Sequence, residues 1–212
     1  NLRRMGPSSD DIAKAGDTYQ IRCTAPANGE VTATIGGETY VLEQEAIATT
    51  GVEAYYSTEI TLPDVADGQV ENLGQIQYKL TFDGTTSSGT SEGDLYVTGK
   101  DAYVIVRVNQ NSAILYEDGE DGSNHVSLLS PGAVDAVVDC TDGYFQLSMG
   151  SWISKSYVDI LEDQTEWADT VTDTSYTAGD DGEYLVLSGN ASPSFKAYNT
   201  SEKVTIRFYN TT

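Results

Sequence analysis

Gln75-Ile76-Gln77-Tyr78-Lys79-Leu80-Thr81-Phe82 decides how this chain is read. Apolar side chains at Ile76, Tyr78, Leu80 and Phe82 alternate with polar ones at Gln75, Gln77, Lys79 and Thr81. Successive strand residues point to opposite faces, so this pattern is a strand with one buried and one wet face. The same period recurs on both sides of it. Val31, Ala33 and Ile35 alternate with Thr32 and Thr34, and Gly36-Gly37 then leads into Tyr40-Val41-Leu42. That spells a β-hairpin with a two-glycine turn. Val134, Ala136, Val138 and Cys140 alternate with Ala133, Asp135, Val137 and Asp139. Val204, Ile206 and Phe208 alternate with Thr205, Arg207 and Tyr209. Adjacent Tyr55 and Tyr56 must face opposite ways, so one of them belongs in a core. Only residues 42–48 have helical propensity, and so short a stretch predicts a turn at most. The expected fold class is all-β.

Turn signals set the organisation. Asn28-Gly29, Asp67-Gly68 and Asp83-Gly84 help cut residues 15–98 into about seven short strands, the number and spacing of an Ig-like β-sandwich. Residues 1–14 read as a linker. Residues 100–162 hold a smaller unit of five or six strands. Residues 170–212, with the turn Gly179-Asp180-Asp181-Gly182, form a third β domain that is small or truncated, because so few residues bury little surface. The junctions between modules are short, which favours a semi-rigid rod.

Composition narrows the function classes. The chain carries 33 Asp and Glu against 11 Lys and Arg, a formal charge of −22. That field repels nucleic-acid phosphates and no basic stripe offsets it, so nucleic acid is excluded as a partner. It also favours a soluble monomer. Fourteen tyrosines against four phenylalanines and two tryptophans suit half-buried pleated surfaces, with ring on a core and hydroxyl in water. No apolar run approaches the ~20 residues of a membrane helix. Cys23 and Cys140 fall in different expected modules and read as small apolar fillers rather than a disulfide. A secreted chain without a disulfide framework points to bacteria.

The middle module carries a more specific pattern. Tyr103-Val104-Ile105-Val106 opens its first strand, Ser112-Ala113-Ile114-Leu115-Tyr116 its second, and Leu129-Ser130-Pro131-Gly132 a turn. Asp142-Gly143-Tyr144-Phe145-Gln146-Leu147 and Gly150-Ser151-Trp152-Ile153 follow, closing on Tyr157-Val158. These motifs resemble a bacterial SH3-like domain. The order of Ig-like module, SH3-like module and a final strand pair ending Val204-Thr205-Ile206-Arg207-Phe208-Tyr209 resembles the non-catalytic N-terminal region of Firmicute-type N-acetylmuramoyl-L-alanine amidases. The resemblance implies an extracellular, cell-wall-associated protein of a Gram-positive bacterium. It implies peptidoglycan, or another cell-wall polymer, as a weakly held partner. Such amidases are similar to zinc hydrolases that use two His and a Glu as ligands. This chain has a single histidine, His125, so the resemblance places any catalytic domain outside these 212 residues.

Residue by residue, no catalytic chemistry emerges. A catalytic zinc takes typically three protein ligands and an open position, and one His with two distant Cys supplies no such set. A Ser-His-Asp triad would also depend on His125, in the polar loop Asp121-Gly122-Ser123-Asn124-His125. The acidic runs Glu117-Asp118-Gly119-Glu120-Asp121-Gly122 and Asp180-Asp181-Gly182-Glu183 lack the spacing of a Ca²⁺ loop and read as solvated turns. No enzyme activity, catalytic residue, metal or cofactor is expected in this chain. The candidate ligand-binding residues are Tyr103, Tyr116, Tyr144, Trp152 and Tyr157, since aromatic grooves bind peptides and flat rings stack on sugars. The expected function is a non-catalytic region that positions a cell-wall hydrolase. The alternatives are an adhesin-like spacer and a glycan-binding surface module.

Overall fold

A computed structural model of the protein describes residues 1–45, 49–161, 171–180, 182–189, 192–193, 195–200 and 204–208. Among the described residues the regular elements are strands, apart from one 3₁₀ turn, so the chain is all-β. No helix there is long and apolar enough to cross a membrane. The chain divides into two compact units, Asn1–Tyr103 and Val104–Thr212. Residues 170–212, expected as a third domain, are thus grouped with residues 104–162.

The first unit contains β1 (Asp11–Lys14), β2 (Thr18–Pro26), β3 (Glu30–Ile35), β4 (Glu38–Gln44), β5 (Glu53–Thr61), β6 (Val70–Phe82) and β7 (Thr85–Thr98). They lie in the order β1-β7-β6-β3-β4-β5-β2. Strand β4 makes the fold. Its first five residues pair with β3, whereas Glu43 and Gln44 pair with β5. The chain therefore passes from one sheet layer to the other through β4, and β2 and β5 share one core with β3, β6 and β7. These two layers of strands packed on one core form a β-sandwich. Ile76, Tyr78 and Leu80 are buried while Gln75, Gln77 and Lys79 are exposed. Gly36 and Gly37 both have positive φ (56° and 84°), which a two-residue primed turn requires. Of the adjacent tyrosines, Tyr56 is buried and Tyr55 is exposed.

Two core tyrosines satisfy their hydroxyls on backbone. The Tyr56 phenol accepts from the Gly29 N–H at 3.0 Å and donates to the Pro26 carbonyl at 2.9 Å. The Tyr78 phenol proton is shared between the carbonyls of Gly6 (2.7 Å) and Arg22 (3.1 Å). A buried hydroxyl without such partners would cost stability, so these bonds fix where each ring sits.

Residues 1–14, read as a linker, are part of this unit. Arg3 and Thr24 exchange two backbone hydrogen bonds of 2.8 Å, and the Gly6 N–H donates to the Arg22 carbonyl at 3.0 Å. After a cis Gly6–Pro7 bond the segment crosses to the other layer, where the Gly93 N–H donates to the Pro7 carbonyl at 3.1 Å. Strand β1 then runs parallel to β7, from Asp11 opposite Leu95 to Lys14 opposite Thr98. Leu2, Met5 and Ala13 pack on the core. The pairing is made by backbone groups, so the polar side chains here carry no alternation to announce it. Leu42–Gln44, read as part of a helical turn, lie in β4. Residues 46–48 are outside the described residues.

Cys23 is buried in this core, and neither it nor Cys140 is in a disulfide. Burial away from water disfavours the thiolate and pushes the Cys23 thiol up to about 12. The thiolate is the reactive form, so Cys23 should resist alkylation at pH 8 in the native chain and react at once in denaturant. Mass spectrometry after iodoacetamide checks this, and rapid native labelling at Cys23 would contradict the assigned burial.

The second unit contains β8 (Val104–Val108), β9 (Ala113–Tyr116), β10 (His125–Leu129), β11 (Ala133–Cys140), β12 (Tyr144–Leu147), β13 (Trp152–Ser154), a 3₁₀ turn (Lys155–Tyr157) and β14 (Val158–Ile160). Their order is β10-β9-β13-β12-β11-β8-β14, a nearly closed barrel. The last strand follows the 3₁₀ turn and returns to pair with the first, Val158 opposite Val108. Val104, Val106, Leu115, Phe145, Leu147 and Ile153 are buried in the unit. Asp135 is also buried, and its Oδ1 accepts from the Ser148 hydroxyl at 2.6 Å and the Ala136 N–H at 2.7 Å.

Beyond it, β15 (Val171–Gly179) and β16 (Gly182–Gly189) form a hairpin around the expected turn, with Gly179 opposite Gly182. Strand β17 (Ser192–Pro193) pairs in parallel with Ala133 and Val134 of β11. Strands β18 (Phe195–Asn199) and β19 (Val204–Phe208) pair with each other.

Candidate ligand-binding site

Alternation in three short strands creates an aromatic outer face on the barrel. In β9 Ala113 and Leu115 are buried, in β12 Phe145 and Leu147, and in β13 Ile153. Their neighbours Tyr116, Tyr144 and Trp152 are driven to the opposite face, where each is half-buried. Register then brings them together. Trp152 lies directly opposite Tyr116 on one side and Gln146 on the other, with Tyr144 two residues away along β12. The Tyr116 and Tyr144 rings meet edge-on, with centroids 5.4 Å apart. This is a favoured aromatic geometry.

Tyr157 reaches the same group from the 3₁₀ turn, its phenol in hydrogen-bonding reach of the Tyr116 phenol. Four of the five candidate residues are thus assembled. The fifth, Tyr103, ends the first unit and is not one of the residues this barrel face brings together.

Sequence reasoning missed several members of the site. His125, read as a loop residue, begins β10 opposite Tyr116, and its ring stands at 88° to the tyrosine ring, 5.2 Å between centroids. Gly119 covers part of Trp152: a Cβ there would lie 2.7 Å from an indole carbon and 3.0 Å from the Thr141 methyl. Only a residue without a side chain allows that approach, and a glycine inside an acidic run was the one available hint.

The acidic run is a structured loop. The Glu117 N–H donates to the Asn124 carbonyl at 3.0 Å, and the Asp118 N–H to the Ser123 hydroxyl at 2.9 Å. Two bonds pin the loop to the neighbouring residues. Thr141 Oγ1 donates to the Gly119 carbonyl at 2.9 Å, and the Tyr144 phenol donates to Asp121 Oδ1 at 3.0 Å.

The loop sets the electrostatics. The Asp121 carboxylate holds the Tyr144 phenol above its ordinary value by accepting its proton, with partial burial and nearby charge adding to the effect. Partial burial first, then the Tyr157 phenol, pushes Tyr116 up as well. The phenols are therefore neutral donors under physiological conditions. The site combines flat rings, phenolic hydroxyls and exposed carboxylates from Glu117, Asp118 and Glu120. Such a surface can stack on a sugar face or a peptide plane, and it repels polyanions. Among the described residues no group of three or more His, Cys, Asp or Glu is placed to hold a metal ion. No protein-family model and no curated protein matches the chain.

Proposed function

We propose that this chain is a non-catalytic, secreted region of a bacterial cell-wall protein, and that the aromatic barrel face contacts peptidoglycan. In the full protein it holds an N-acetylmuramoyl-L-alanine amidase domain against its substrate. Tethering of this kind raises local substrate concentration without any chemistry in the tether. The observation that carries the reading is the convergence of Tyr116, Tyr144, Trp152 and Tyr157 on one face, while other residues fill the barrel interior. The motif resemblance supplies the cell-wall context. The acidic loop and the charge of −22 favour a neutral or amine-bearing segment of the wall over teichoic-acid polyanions. Binding to intact walls is then weak and strengthened by salt, which screens the repulsion.

Trp152→Ala tests this directly. Removing a stacking ring should cost roughly 1–3 kcal/mol of binding, by analogy with base stacking. Because Trp152 lies outside the barrel core, the melting transition should move much less than for a core ring. The measurement is a pull-down of the full chain on purified sacculi, with a thermal melt alongside. Wild-type chain that leaves sacculi untouched at every salt concentration would make the barrel a spacer and remove the reading.

A further inference from the structure

The first unit contains a groove of about 700 Å³, a size within the ~300–1,000 Å³ of small-ligand sites. The N-terminal segment, β2, β5, β7 and the residue after β4 all contribute to its lining. Its charge is unlike that of the rest of the chain. Acidic residues outnumber basic ones 33 to 11 overall, yet Arg4 and Arg22 here meet Glu45 and Glu92 in equal number. Arg4 is held in place. Arg4 Nη1 donates to the Tyr55 phenol at 3.0 Å, and the Tyr55 carbonyl in turn accepts from the Glu45 N–H at 3.0 Å. The Arg22 side chain lies along Gly6, where a Cβ would sit 3.5 Å from its Cγ. A guanidinium carries five donors in a planar fork, so the bond to Tyr55 leaves Arg4 capacity for an incoming acceptor.

We propose that this groove binds a short peptide through its free carboxylate, received by Arg4 and Arg22. Guanidinium pairs are suited to a planar carboxylate, which they take with two parallel hydrogen bonds. Glu45 and Glu92 supply partners for a peptide ammonium group and repel any ligand with several negative charges. Gln20 and the exposed ring of Tyr55 offer an amide and a flat face to the peptide backbone. This site involves no residue of the aromatic barrel face, and the inference stands without the cell-wall reading.

The test is an NMR titration of the ¹⁵N-labelled full chain with acetylated dialanine, its C-terminal amide and glucuronate. The free-acid peptide should shift the backbone amides of Arg22, Thr24 and Tyr55, and the amide should not. Arg22→Gln should weaken binding by roughly tenfold or more, the scale of one charge-assisted hydrogen bond. Added salt should weaken wild-type binding too, a readout that needs no variant. Shifts at these amides with glucuronate but not with the peptide would keep the carboxylate site and overturn the peptide, assigning an acidic saccharide instead. Equal shifts with the C-terminal amide, or none with any probe at tens of millimolar, would overturn the proposal.

Discussion

Tyr78→Ala is expected to unfold the first unit under conditions where the wild-type chain is folded. The ring is 1% exposed and belongs to the core cluster shared by β2, β3, β5, β6 and β7. Truncating a buried aromatic side chain costs about 3–5 kcal/mol, from lost transfer energy and the cavity left behind. Its phenol also links two chain segments remote in sequence, through the Gly6 and Arg22 carbonyls. Those acceptors lose their partner as well, so the loss should lie at the upper end of that range. A domain is stable by only about 5–15 kcal/mol in total, so much of its margin would vanish. Tyr78→Phe separates the contributions: it keeps the ring and removes the hydroxyl, for about 1–3 kcal/mol. Neither tryptophan falls within the first unit, Asn1–Tyr103, so tryptophan fluorescence does not follow the sandwich. Near-UV tyrosine circular dichroism with urea follows both units, and an early transition there with the fluorescence transition unmoved is the expected outcome. A Tyr78→Ala midpoint equal to wild type in both signals would mean that the ring does not hold the sandwich together.

What the sequence disclosed follows from which physics leaves a mark on side chains. Burial of one sheet face imposes period two, so Ile76, Tyr78 and Leu80 could be placed in a core from the sequence alone. The same rule split Tyr55 from Tyr56. A two-residue turn with positive φ at both positions demands glycine or its few substitutes, so Gly36-Gly37 announced a hairpin. The barrel site was legible as a set of rings but not as a geometry. Trp152 meets Tyr116 because β13 pairs with β9 rather than with a sequence neighbour, and single-chain periodicity carries no information on register between distant strands. Tyr103 entered the set by proximity in sequence, whereas His125 was left out because the turn signals around it masked a strand start. Asp121 shows the same limit. Its bond to Tyr144 spans 23 positions, and nothing in either local pattern joins them.

The N-terminal segment gives the sharpest contrast between the two readings. Deleting residues 1–14 should destabilise the first unit by about 2–3 kcal/mol, since Leu2 and Met5 are partly buried against the core and a fully buried apolar side chain is worth ~1.5–3 kcal/mol. The deletion also strips the parallel ladder from β7 and the Arg3–Thr24 bonds from β2. Both layers then expose unpaired edge backbone, so aggregation on warming should accompany the lower midpoint. A linker would show neither effect. Gly93→Val makes the same test in the full-length chain. A Cβ at Gly93 would collide with the backbone of Ser9, which cannot rotate away as a side chain tip would. Overpacking of this kind costs typically 1–3 kcal/mol, and here relief requires the segment to lift from β7. The groove lined by Arg4, Met5 and Gly6 would open with it, so Gly93→Val should weaken carboxylate binding even where the unit stays folded. Urea denaturation and the acetylated dialanine titration on this one variant read both consequences. Wild-type stability in both Gly93→Val and the deletion would return residues 1–14 to the status of a linker and leave the groove without its N-terminal wall.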